Sequence, residues 1–144
     1  MSETGLILRT AQQVLNNHGL LDSDLGNFAA PDGRLDITAA IYRAVTGTTP
    51  KCFINDPGTA RLLIETNEAV TTAIRWVSAV LPTRPPHDPG TGIDDHIEHL
   101  AYWLLDVDHF LGRRPNTSDV IGVLSRAADA ADNVTDMPRQ RAAA

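Results

Sequence analysis

Cysteine is nearly absent: Cys52 stands alone in 144 residues. A lone thiol closes no internal disulfide and builds no multi-thiolate metal site, which fits a reducing compartment. Its neighbours Lys51 and Phe53 do not establish the basic partner that a thiolate nucleophile needs, so Cys52 reads as a small apolar filler. Long apolar runs are missing as well. No stretch approaches the roughly 18 to 20 consecutive apolar residues of a membrane span, and Met1-Ser2-Glu3-Thr4 lacks the basic start of a secretory signal. The expectation is a cytoplasmic protein without membrane association. Phosphate-cradling glycine loops are absent, as is a Gly-x-Ser-x-Gly elbow. Nothing here implies a cofactor.

Lysine is also scarce, with Lys51 set against eleven arginines, a bias that fits a GC-rich genome. Fourteen aspartates and four glutamates bring the net charge to -6. The negative charge is concentrated in residues 81–112, where Arg84 is the one arginine or lysine against six acids. Such a region repels phosphate backbones, so nucleic acid is an unlikely partner. Apolar residues at 42% and charged residues at 21% are ordinary for one soluble globular domain. That domain is expected over residues 1–133, with a disordered tail over 134–144.

Apolar spacing then sets the fold class. Leu8, Ala11, Val14 and Leu15 define a helix from Glu3 to His18, capped by Ser2 or Thr4 and ended at Gly19. The turn formers of residues 22–35 make a loop, in which Asp22-Ser23-Asp24 lacks the ligand set of a calcium loop. Asp36 caps a short second helix from Ile37 to Val45. Cys52-Phe53-Ile54 is expected to be a brief extended plug, and Asp56-Pro57 opens a helix whose stripe runs from about Thr59 to Leu81, with a possible break near Thr66 or Asn67. Residues 82–92 hold four prolines and two glycines and form a linker-like connection. Beyond it a helix is expected from Ile93 to Leu111, and a last one, capped by Thr117 or Ser118, to about Asp132. The fold class is therefore all-α: a compact bundle of five or six helices, with the Pro/Gly-rich connection between helices three and four.

His87, His96, His99 and His109 cluster in or beside the acidic quarter. On a continuous helix, Ile93, Ile97, Leu100, Leu104, Val107 and Leu111 form one side, and Asp95, His99, Tyr102, Asp106 and His109 the other. Imidazoles and carboxylates are ordinary ligands, so Asp95, His96, His99 and Asp106 form a candidate metal set within the segment 87–109. The plainer reading is the solvated face of an amphipathic helix. His96-Ile97-Glu98-His99 completes neither the zinc-protease nor the zinc-deaminase signature. A helix-turn-helix reading of the last two helices meets Asp119, Arg126, Asp129 and Asp132 where base-reading residues belong. Tyr102, Trp103 and Phe110 could together form an aromatic protein-binding patch.

The segments Gly33-Arg34-Leu35-Asp36-Ile37-Thr38-Ala39-Ala40-Ile41-Tyr42 and Ala73-Ile74-Arg75-Trp76-Val77-Ser78, with Leu8-Arg9-Thr10-Ala11 ahead of Gly19, resemble a family of small actinobacterial helical proteins of unknown function. The resemblance covers residues 6–81 and implies no activity, cofactor or site. The functional expectation is a non-enzymatic regulatory or interaction domain that binds a protein partner, or a copy of itself, through an apolar and aromatic helix face. A metal-binding protein or metal-dependent enzyme is the alternative, and a DNA-binding adaptor the third.

Overall fold

A computed structural model describes residues 1–21, 26–107 and 111–136, with side chains to Val134. The Asp22-Ser23-Asp24 loop, His109, Phe110 and the tail beyond Asp136 lie outside the described residues. The chain is an all-α bundle, with seven helices and no strand among the described residues.

The first helix, α1 (Glu3–His18), starts where the Ser2 side chain accepts from the Gly5 N–H and stops at Gly19, where φ is 86°. Its N-terminus is clasped to the last helix, α7 (Thr117–Asp136). There Asp132 Oδ1 accepts from the Ser2 N–H at 2.7 Å and from Ser2 Oγ at 2.8 Å, while Arg9 pairs with Asp129 and Asp132. These bonds to Ser2 and the Arg9 charge hold the Asp132 carboxyl down at about 2. A side chain on Gly5 would run into Asp132 Oδ1 and so displace that carboxylate from its bonds to Ser2. Asn116, not Thr117 or Ser118, caps α7: its Oδ1 accepts from the Asp119 N–H at 3.1 Å.

Asp36 caps α2 (Ile37–Thr46) as expected, accepting from the Ala39 N–H at 2.7 Å. The loop before it is pinned by backbone. Leu21 N–H donates to Leu35 O, and Phe28 and Ala29 N–H both donate to Phe53 O. Phe53 is fully buried, with the Tyr42 and Phe28 rings at 4.8 and 5.7 Å. It does plug the core, but from one helical turn, α3 (Cys52–Asn55), not from an extended stretch.

The long stripe breaks at Thr66-Asn67 into α4 (Pro57–Glu65) and α5 (Glu68–Val80), and Asn67 caps the second by accepting from the Val70 N–H. α5 lies across the bundle, packed against α7, α6 (His96–Leu105) and α2. The helix expected over Ile93–Leu111 is thus half that length. Asp95 caps α6 by accepting from the Glu98 N–H at 3.0 Å, its own N–H donates to Pro86 O in the connection, and Asp106 closes the helix. Ile93 and Val107, outside the helix, lose its phase and are exposed. α7 in turn runs past Asp132 to Asp136.

Candidate functional site

The outward face expected for α6 is overturned at its most important residue. His99 is 2% exposed, buried with Ile97, Leu100, Trp103 and Leu104 against the bundle. An imidazole in such a place needs partners for both nitrogens. Nδ1 lies 2.6 Å from Ser78 Oγ on α5, and Nε2 lies 2.8 Å from Thr83 Oγ1 on the connection. Ser78 Oγ also lies 2.8 Å from His96 Nδ1. Four side chains therefore form one line, Thr83–His99–Ser78–His96, from an exposed threonine to the half-buried first residue of α6.

Ser78 has a single hydroxyl proton, so with both rings neutral one imidazole accepts it and the other donates its own N–H. All three bonds of the line then point the same way, from Thr83 toward His96 or the reverse, and that direction fixes the tautomer of His99. Desolvation, then the neighbouring His96, lowers the His99 pKa below the usual imidazole value. Nucleophilic attack by Ser78 is another matter. That residue is 3% exposed and its oxygen is held between two rings, so an external carbonyl has no approach.

Beside this line lies an open cleft of about 450 Å³ between α4, α5, the end of the connection and the start of α6. Arg61 of α4 spans it: Nε donates to Glu65 at 2.7 Å and Nη2 to Asp95 at 2.6 Å. Desolvation raises the Asp95 pKa, but the Arg61 hydrogen bond and charge and the Glu98 N–H outweigh it, and the carboxyl stays below the usual range. His96 lines the same cleft, with Arg75, Asp88, Asp94 and Ile93 around it.

The candidate metal set is not gathered. Asp95 gives its oxygens to Arg61 and to the Glu98 N–H, His96 and His99 meet at a serine, and Asp106 caps the opposite end of the helix. Among the described residues, no group of three or more His, Cys, Asp or Glu side chains is placed to hold a metal ion. The aromatic set is described in part. Tyr102 is 53% exposed, but Trp103 is 5% exposed and packs in the core, and Phe110 lies outside the described residues.

Sequence reasoning missed Ser78, Thr83, Arg61 and Arg75. A signal for Ser78 was present. It follows Val70 and Ile74 at successive four-residue steps on the buried face of α5, and a hydroxyl in an apolar row calls for a buried partner.

These features define a helical domain with a charged cleft over a buried histidine–serine line. The chain matches the model of a family of unknown function, DUF6197, over residues 1–130, and it belongs to that family. The match includes the proline-rich connection and α6, so the histidine-bearing segment is part of the family domain, beyond the 6–81 stretch of the sequence resemblance. No curated protein and no solved structure matches the chain. Among the described residues, no helix is long and apolar enough to cross a membrane.

Proposed function

We propose that this chain is a non-enzymatic regulatory or protein-interaction domain whose recognition site is the cleft between α4, α5 and the start of α6. The partner is another protein, or a second copy of the chain. The observation that carries this reading is the contrast between two neighbours. The Ser78–His99 contact, the arrangement most like a nucleophile and its base, is buried. The cleft beside it is open and carries Ile93, 67% exposed, on its wall. An exposed aliphatic side chain among charged groups suits recognition better than reaction. The single cysteine and the arginine bias support the further expectation of a cytoplasmic protein of actinobacterial source.

The test is affinity capture from the native host with three baits: the natural sequence, Ile93→Asp and Tyr102→Ala. A partner held by the first and third and lost from the second is the expected result. Recovery of bait alone, or a partner lost with Tyr102→Ala and kept with Ile93→Asp, contradicts the proposal.

A further inference from the structure

A smaller cavity, of about 200 Å³, lies on the α2 side of α6, between that helix, the start of α2 and residues 26–28. Leu21, Phe28, Ile97 and Leu104 give it apolar walls, and Tyr102 adds a second aromatic ring from α6. Its charged groups are of one sign: Asp36 and Glu98 line it, and among the described residues no arginine, lysine or histidine does so. The two acids differ in what they already hold. Glu98 bonds to the Tyr102 hydroxyl and has Arg61 Nη1 at 3.7 Å. Asp36 meets the Ala39 and Thr38 N–H groups of the helix it caps, and no cationic side chain of a described residue pairs with it. Its backbone N–H donates to Phe28 O at 2.9 Å, which fixes the residue bearing the carboxyl beside the residue bearing the ring. Desolvation without a counter-charge pushes this carboxyl up to about 7, and an ammonium group beside it would hold it ionised.

We propose that this cavity binds a free primary amine with a small apolar body, its ammonium group on the Asp36 carboxylate and its body among Leu21, Phe28, Ile97 and Leu104. The inference is independent of the cleft between α4, α5 and α6. An ammonium group brings N–H donors to a carboxylate and is drawn to aromatic faces, here Phe28 and Tyr102. A carboxylate or phosphate ligand meets two acids and no base on the described walls, and is repelled. The volume, below the roughly 300–1,000 Å³ of drug-sized sites, limits the body to one ring or a short branched chain. The same charges set the response to pH. Glu98 and Tyr102 face the cavity from α6, with Arg61 of α4 behind Glu98, while Leu21 and residues 26–28 bring no titratable group. Protonated Asp36 forms no ion pair, so affinity falls as pH drops through the Asp36 value, and binding releases to solvent the proton that Asp36 held.

The test is a titration of the full chain with phenethylamine, read from the backbone amide shifts of Phe28 and Leu105. Saturable shifts are expected, with an affinity about tenfold lower at pH 6 than at pH 8, a range over which the amine itself stays protonated. At pH 8 phenethyl alcohol should bind about tenfold or more weakly than the amine, and phenylacetate not at all. Asp36→Asn keeps a good helix cap, so this folded variant should lose both the preference for amine over alcohol and the pH dependence. Ala101→Phe, which fills the cavity from α6 and leaves Asp36 in place, should abolish binding of amine and alcohol alike. The proposal is overturned if the alcohol binds as well as the amine, if phenylacetate binds, if affinity is the same at pH 6 and pH 8, if either variant keeps the natural affinity for the amine, or if phenethylamine gives no saturable shift. Any of these results leaves the Ile93→Asp capture test, and the reading of the other cleft, untouched.

Discussion

His99 and Asp36 place opposite demands on pH. The lowered His99 pKa means that, below about pH 6.5, the unfolded chain binds a proton that the folded chain resists. Its stabilising effect is fully present above that value and is lost as pH falls through it. His99→Gln, which keeps a hydrogen-bonding side chain but does not titrate, is expected to flatten the acid side of a stability-against-pH curve measured by urea denaturation. Desolvation pushes Asp36 the other way, from 3.8 up to about 7. Between those values the folded state holds a proton that the unfolded state gives up, so stability falls as pH rises through the window. Asparagine caps helices as well as aspartate does. Asp36→Asn should therefore gain on the natural protein between pH 4 and pH 8, and a loss across that range would contradict the account. Trp103 supplies a third residue-scale contrast. Buried in the core, it should cost about 3–5 kcal/mol on truncation to alanine, whereas Tyr102→Ala, at an exposed position, should stay within about 0.5 kcal/mol in the same denaturation measurement.

At the scale of elements, apolar spacing and caps found α1 and α2 to within a residue or two, because both helices carry their start and stop signals in their own sequence. The break at Asn67 was legible only as an alternative to one continuous helix, since the apolar stripe runs on through it and an asparagine in mid-stripe is free to cap or not. α6 was not. Its extent is set by Pro86 O receiving the Asp95 N–H and by the Thr83–His99 bond, contacts between a connection and a helix that periodicity within one segment does not contain. The expected apolar side left out Trp103, which lies one turn on from His99 and is buried with it, and so placed His99 on the wet side. The Arg61–Asp95 bridge ties α4 to the start of α6. A double-mutant cycle with Arg61→Ala and Asp95→Asn should return a coupling of about 0.5–1 kcal/mol that shrinks as salt rises. Zero coupling at low salt would remove this strut from the account.

For the whole molecule, apolar spacing pointed to an all-α bundle, and the structure is one among the described residues. The bundle of α1, α2, α5 and α7 follows from that amphipathic content. The site does not follow in the same way, because it joins residues from α4, α5, the connection and α6, brought together by tertiary packing alone. The acids and histidines were visible as a cluster; their inward turn was not. The reading of the cleft as a place of recognition leans on Ser78 and His99 being buried behind His96, which lines it, with no solvated imidazole ladder on the outside.

Long-range 1H–15N spectra of the imidazole nitrogens across a pH series test that burial most directly. The account predicts that His99 holds one neutral tautomer at neutral pH and takes up its proton only below the usual imidazole value. A His99 that exchanges freely between tautomers and titrates at the value of a solvated imidazole would contradict it.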